Sequence, residues 1–515
     1  MKKIIIVLTV LLNYISLNAQ TEFDALKLSH TDITGTARYM GMAGAFGALG
    51  GDASAIKDNP AGLGIYRSSE LVGTMNVTLQ KANSTWNGVK SMDDLYKTGF
   101  NNFSYVLASP TWRKENGSSG LQSSNFSFSY NRLANFNRSM SVKSGSATSS
   151  MTDYMAYLTD NITSGDLTYS STNEPFDNLN IPWLSVLAYE GFLMNENVTN
   201  GLSSWSSFLG NTGNVTPSYV VTEKGYVDEY SLGWAGNFNN KFFLGTTLNF
   251  RSLNYSSVSK YSELFSDNRG SMSLRDSIYS SGTGFNLNVG TIYCLTDNIR
   301  LGLSVHSPTI YSITDNYNSN LAFDTSSRTG NLSTPLGTSN YQLQGPLTVN
   351  LSAAYIVGKK GLVSVEYDYD NNTGIRLMDE NGDSQSFTDE NQGMSQMLAN
   401  VNTIKIGGEY KLSENFALRA GYAYSSNATD PNAAKLVRPN TIRTDTEFFR
   451  NNNTNYFSAG FGYRESNWFI DCAYMNKILN ESFYPYNSNN LADAVHPAKV
   501  ITSTNNIVVT LGLKF

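Results

Sequence analysis

The side chains that could do chemistry are few and widely spaced. Among 515 residues there are three histidines, His30, His306 and His496, too scattered for the ligand spacings of a metal site. A membrane hydrolase needs a serine and a histidine held together, and Ser304-Val305-His306 offers the two only as neighbours two apart on one face of a strand. The run Asp379-Glu380-Asn381-Gly382-Asp383 with Glu390 at its twelfth position imitates a calcium loop. Its sixth position is Ser384 rather than glycine and no flanking helices are expected, so it reads as a solvated acidic outer loop. The glycine run Gly41, Gly44, Gly47, Gly50 and Gly51 follows no strand and has no Gly-Lys-Ser/Thr ending, which sets aside a phosphate cradle. A formal net charge of -6 and a pI near 5.3 provide no basic face for nucleic acid. No enzyme, no cofactor and no metal are expected.

The residues therefore have to be read through the elements that carry them. Met1-Lys2-Lys3, an apolar stretch from Ile4 to Leu12, and a small residue before Gln20 have the order of a cleaved secretory signal over residues 1–19. No later segment offers the roughly 18 apolar residues of a membrane-spanning helix. The composition, with 31 Tyr, 26 Phe, 42 Gly and 15% charged residues, suits aromatic-rich strands joined by polar loops.

From Leu71 the chain alternates apolar and polar residues in segments of about ten, the length that crosses hydrocarbon as a tilted strand. In the last segment Ile507, Val509, Leu511, Leu513 and Phe515 share one face, with Asn506, Thr510, Gly512 and Lys514 on the other. Over 361–370, Val363, Val365, Tyr367 and Tyr369 oppose Ser364, Glu366, Asp368 and Asp370, a carboxylate row that cannot face lipid. Fourteen such strands are expected, near 71–80, 101–109, 125–133, 228–238, 241–256, 282–294, 299–310, 345–357, 361–371, 401–412, 415–426, 454–464, 467–477 and 505–515. Short polar turns such as Asn239-Asn240 alternate with long links, as they do when all long loops lie on one side of a membrane. The fold class is all-β, a transmembrane antiparallel barrel. Cys294 and Cys472 fall on the sixth and thirteenth strands, across the ring from one another, and should be free thiols.

Two regions break the rhythm. Residues 20–70 precede the first strand, and the link from about 134 to 227 is the longest. The latter carries Met155, Tyr157 and Leu158, then Trp183, Leu187, Phe192 and Leu193, apolar residues that a solvated loop would not hold unless they bind or pack on something. They are expected to make a greasy surface near the outer mouth.

The segment Gly35-Thr36-Ala37-Arg38-Tyr39-Met40-Gly41-Met42-Ala43-Gly44-Ala45-Phe46, followed by Asp52 to Ile56 and by Asn59-Pro60-Ala61-Gly62-Leu63, resembles the N-terminal hatch of the FadL/TodX family of long-chain fatty acid and hydrocarbon transporters. The resemblance implies a small plug inside a fourteen-stranded barrel, with a hydrophobic solute entering from an outer apolar groove, passing a hatch-gated lumen, and leaving sideways through the wall. It makes 20–70 the hatch, gated at Asn59, Pro60, Ala61 and Gly62, and 71–515 the barrel. The seven apolar loop residues would collect the solute, and His306, Glu366 and Asp368 would line the lumen. An opening is expected near strand 125–133. Expected partners are a hydrophobic small molecule, outer-membrane lipids of a Gram-negative cell, and the barrel-assembly machinery that reads a terminal aromatic such as Phe515. The competing reading is a barrel whose Asn-rich loops serve adhesion or surface structure, with the hatch closing the pore.

Overall fold

The alternation seen in the sequence becomes a closed wall. The computed structural model describes residues 20–109, 120–171, 173–210, 213–326, 328–438 and 441–515, and the expected signal over 1–19 lies outside them. Fourteen antiparallel staves follow the chain: β1 Glu70–Trp86, β2 Val89–Leu107, β3 Leu121–Asn135, β4 Val215–Phe238, β5 Phe242–Phe265, β6 Gly270–Cys294, β7 Ile299–His306, β8 Thr348–Val357, β9 Gly361–Asp370, β10 Val401–Lys411, β11 Phe416–Ser425, β12 Phe448–Arg464, β13 Trp468–Tyr484 and β14 Ala498–Lys514. Arg138–Lys143, Ile310–Thr325 and Arg376–Met378 continue β3, β7 and β9, and Gly337–Gln344 precedes β8 in the same line. Pairing of β1 with both β2 and β14 closes the ring. Cys294 and Cys472 are both free.

Side-chain exposure separates the two faces. Ile507, Leu511, Leu513 and Phe515 lie outward, 49–65% exposed, while Thr510 on the same strand is fully buried. On β9 the outward residues are Val363, Val365 and Tyr367, and Ser364 and Glu366 face in. No helix among the described residues is long and apolar enough to cross a membrane. An apolar outward band over a polar interior is what hydrocarbon demands of a strand-built wall.

Several staves run farther outward than the alternation suggested. β4, β5 and β6 have 24, 24 and 25 residues, more than twice the roughly ten that cross hydrocarbon. On their outer halves the outward row turns mainly polar, as with Ser252, Asn254, Ser256, Lys260 and Ser262, while the inward row carries Tyr261, Phe265, Met272 and Leu274 into a buried core. The ladder continues there beyond the lipid, and the apolar period that announced it stops.

The long link, narrowed to residues 144–214, folds over the outer mouth. It holds α3 Met151–Thr159, α4 Ser164–Leu167 and α5 Trp183–Glu190, with a hairpin of Met194–Thr199 and Leu202–Ser207. Among the described residues the other α-helices are α1 Glu22–Ser29 and α2 Ala37–Gly41 before the barrel, and α6 Thr388–Met397 between β9 and β10.

Candidate functional site

Residues 20–69 fill the interior of the ring, and two halves of this segment are held by different means. The lower half, from Thr36 to Tyr66, lies against the wall with almost no gap. A Cβ added at Gly245 would stand 2.4 Å from the Pro60 carbonyl, at Gly421 2.4 Å from the Met42 carbonyl carbon, at Gly290 2.1 Å from Asn59 Oδ1, and at Gly302 2.5 Å from the Gly47 oxygen. Glycine within a strand ordinarily weakens it, and here its role is to admit another backbone.

Hydrogen bonds complete this seat. Asn59 caps the turn beginning at Pro60 by accepting from the Ala61 N–H, while its Nδ2 donates to the oxygens of Gly47 (2.7 Å) and Thr291 (3.1 Å). Gly47 N–H donates to Glu366 Oε2 at 2.6 Å, and Glu366 also accepts from Lys405 at 2.7 Å. Arg38 reaches Glu409 with both Nε (2.8 Å) and Nη2 (3.1 Å). Arg419 bridges Glu409 to Asp471, each arginine contact being 2.6–2.7 Å in a nearly dry setting. Buried charges of this kind are stable only when paired throughout.

The upper half, residues 20–34, is a strap held by exchangeable ion pairs. Glu22 accepts from Arg438 (2.8 Å), Asp24 from Arg443 (2.6 Å) and Glu223 from Lys27 (2.6 Å), and Asp32 pairs with Lys477. Burial would raise the Asp24 and Asp32 carboxyls, but Arg443 with Lys435 in the first case, and Lys477 in the second, hold both below the ordinary carboxylate value. Between strap and wall lies a lumen cavity of about 400 Å³, bordered by both apolar residues such as Phe23, Leu26 and Leu133 and charged ones such as Lys27 and Lys477.

The wall beside the strap has a local break in its ladder. β2 pairs with β1 along its whole length, but with β3 only from Asn102↔Asn131 to Leu107↔Phe126. At the upper limit of that contact each partner carries a one-residue register shift, with Asn101 extra on β2 and Leu133 extra on β3. Bulges bend a strand and end pairing, and β3 leaves β2 there. Higher up, the continuation Arg138–Lys143 crosses the inner side of the β1–β2 hairpin, where Ser141 N–H donates to Asp93 (2.7 Å) and Ser84 Oγ to the Ser141 oxygen (2.7 Å). Outside, the break is flanked by the exposed Met75, Leu79, Tyr96 and Phe100. Inside, the strap covers it: Asp32 N–H donates to the Leu133 oxygen (2.8 Å) and Thr34 Oγ1 to the Arg132 oxygen.

The residues singled out from sequence are distributed as follows. Asn59, Pro60, Ala61 and Gly62 sit together in the lower seat, all buried. His306 and Asp368 border the lumen cavity, with His306 Nε2 2.7 Å from the Asp58 oxygen, and Glu366 lies behind them under Gly47. The loop residues split. Met155, Leu187 and Leu193 are buried in a core that the cap shares with stave residues such as Tyr261, Met272 and Leu274, Leu158 packs against it, and Trp183 is buried in a separate cluster with Tyr317 and Ile442. Tyr157 and Phe192 remain exposed, at 40% and 49%. The expected open greasy patch is thus mostly an interior. The acidic run 379–390 is flanked by α6, contrary to expectation, and Glu390 is buried 3.6 Å from Arg438. The strap's arginine partners and the wall glycines were not anticipated. The glycines had a signal, since they interrupt lumen-facing strand positions, whereas partners some 400 residues apart leave none.

Comparison with known proteins agrees with this architecture. The sequence profile of the family described as outer membrane protein transport protein (OMPP1/FadL/TodX) matches residues 215–515. A Pseudomonas aeruginosa FadL homologue superposes with a TM-score of 0.55 at 12% identity, over 95% of this chain and 100% of that one. The Pseudomonas putida toluene transporter TodX superposes with a TM-score of 0.51 at 14% identity, over 94% and 99%. A sequence comparison with curated proteins finds no match. The profile covers more than half of the chain and the fold agrees over nearly all of it, so this outer-membrane barrel belongs to the outer membrane protein transport protein (OMPP1/FadL/TodX) family.

Proposed function

We propose that the chain imports hydrophobic molecules passively through the outer membrane, with the N-terminal segment acting as hatch and the break between β2 and β3 as the sideways exit. The observation that carries this reading is the break itself: it opens at the level of the apolar belt, beside the lumen cavity, and is covered from within by the hatch. An apolar solute released downward into water would lose about 0.8 kcal/mol for each exposed CH₂. A path through the wall keeps it in an apolar medium. Exposed Tyr157 and Phe192 on the cap are the outer collecting residues, and Asn59 to Gly62 anchor the hatch. TodX carries toluene by its name, and a long-chain fatty acid is the cargo favoured here because the cavity offers charged as well as apolar partners.

The test is uptake of a labelled long-chain fatty acid by cells lacking their own transporter. A cysteine pair at Phe103 and Tyr130, directly opposed on β2 and β3 at the margin of the break, is introduced with Cys294 and Cys472 changed to serine. Uptake that stops on oxidation and returns on reduction supports the exit. Unchanged uptake by the oxidised protein removes it, and no uptake of any hydrophobic solute by the unbridged protein removes the import reading.

A further inference from the structure

The outward face of the tall staves β4, β5 and β6 carries positive charge above its apolar belt. Phe250 and Phe285 are directly opposed on β5 and β6 and exposed to lipid. Ten residues farther out on each of the two staves, from 250 to 260 and from 285 to 275, Lys260 and Arg275 are directly opposed in turn, and both are exposed. At about 3.3 Å per residue and a tilt of about 40°, the pair stands roughly 25 Å beyond the two rings, past the hydrocarbon and at the level of the sugars that outer-leaflet glycolipids carry. Like charges directly opposite on paired strands repel, and a neighbouring acid would offset the repulsion. The outward positions around the pair are Val220, Val258, Ser262, Ser273, Ser277 and Asn320, with no acid among them. Lys224 puts a third exposed cation on the same face, beside Ser256 and, one stave farther, Tyr279. In a chain whose formal net charge is -6, this face calls for an anion from outside.

We propose that Lys260 and Arg275, with Lys224 below them, bind a phosphorylated sugar of an outer-leaflet glycolipid on the outside of the barrel. The position selects this occupant: a glycolipid whose acyl chains lie against Phe250 and Phe285 carries its sugars directly past the pair. The charge selects the phosphate. A guanidinium offers it two parallel N–H donors and an ammonium a compact point charge, and one phosphate between them turns a repulsion into two attractions. The outward row between belt and pair, Ser252, Asn254 and Ser256 on β5, supplies hydroxyl and amide groups for the sugar's own hydroxyls. Tyr279 closes the lower side, its hydroxyl accepting from Asn254 Nδ2 at 2.8 Å. The site faces away from the lumen and the N-terminal segment, so it does not depend on the import reading.

The experiment measures binding of lipopolysaccharide with a phosphorylated core, of the same material after enzymatic dephosphorylation, and of inorganic phosphate, to the purified full-length protein freed of lipid in neutral detergent. Wild-type protein should bind the phosphorylated form at least about fivefold more tightly than the dephosphorylated one, and the preference should shrink as salt is raised. In Lys260→Gln with Arg275→Gln the preference should vanish while binding of the dephosphorylated form stays unchanged. A wild-type protein without preference, or a double variant that keeps it, overturns the proposal. Inorganic phosphate that competes as well as the glycolipid overturns it too, since the site would then serve a free anion. Thermal unfolding gives an independent reading. Lys260→Glu makes the opposed pair attractive, so this variant should melt above the wild type in lipid-free detergent, and added phosphorylated lipopolysaccharide should raise the melting temperature of the wild type but not of the variant. An equal rise in both proteins, or none in the wild type, would show that the ligand does not act on this pair.

Discussion

The two halves of the N-terminal segment are continuous in sequence and opposite in design. From Thr36 to Tyr66 the backbone is pressed against wall positions that only glycine can fill, with Asn59 supplying three buried hydrogen bonds. From Gln20 to Thr34 a row of ion pairs joins the segment to the wall beside the buried Ala25, Leu26 and Leu28, and a cavity lies alongside. Close packing has one solution and fails abruptly when disturbed. Ion pairs can exchange one partner for another of like charge, provided the buried partner left behind is paired again. On the import reading proposed above, a plug that holds and yet admits a solute needs both, a fixed floor and a strap that moves. Gly35 stands at the junction, with φ of 156° and Ser54 packed where a Cβ would go.

Variants that attack the floor should have the largest effects. Gly245→Val or Gly421→Val drives a side chain into the hatch backbone, at a cost of about 1–3 kcal/mol or more each. Planar-bilayer recordings of the double variant should show a persistent open pore where the wild-type protein is closed. A closed double variant would mean the floor is not held by this contact. Asn59→Ala comes next. It leaves the Gly47 and Thr291 oxygens without their donor, about 1–3 kcal/mol for each group left unsatisfied, and should give intermittent rather than permanent openings. Unaltered traces would place the anchor elsewhere.

Strap variants should do less to the closed state and more to its motion. Asp32→Asn removes the charge on the Lys477 partner but keeps the Asp32 N–H bond to Leu133. The expected result is faster hydrogen exchange over 22–34 with no change over 39–66. Equal acceleration in both halves would abolish the distinction. Acid should act in the same direction and most weakly. Asp24 and Asp32 have lowered carboxyl values in the folded protein, so their contribution is complete above the unfolded value of about 3.9 and is lost as pH falls beneath it. Exchange over 22–34, away from the Gln20 end that meets Asp315, should therefore be flat from pH 8 to 5 once corrected for intrinsic rates.

What could be read in the sequence follows the same division between local and distant causes. The row Ile507, Val509, Leu511, Leu513 and Phe515 is visible because lipid imposes a period of two on neighbours in the chain. The ring of fourteen follows from counting such rows. The lower half of the N-terminal segment is marked by its density of small residues and by Asn59-Pro60. Nothing local marks the strap, because the partners of Glu22 and Asp24 are Arg438 and Arg443, more than 400 positions away. The loop residues were misplaced for a related reason. Apolar side chains in a long link can be a binding surface or a small domain's interior, and only packing shows that Met155 and Leu187 are interior while Phe192 is exposed. The outer halves of β4 to β6 were invisible because they leave the lipid that created the pattern.

The most direct test asks which half must move for import. A Cβ at Gly345 would lie 3.7 Å from Ser29 Cβ, and one at Gly41 would lie 3.5 Å from Ala473 Cβ, both within the separation of about 3.5–4.5 Å that a disulfide spans. Uptake of a labelled long-chain fatty acid is measured for Ser29→Cys with Gly345→Cys, which ties the strap, and for Gly41→Cys with Ala473→Cys, which ties the floor, each with Cys294 and Cys472 replaced by serine. Uptake blocked by the oxidised strap bridge, restored by reductant, and indifferent to the floor bridge is the predicted result. Uptake that continues through a fully oxidised strap, or that stops when only the floor is tied, would contradict it.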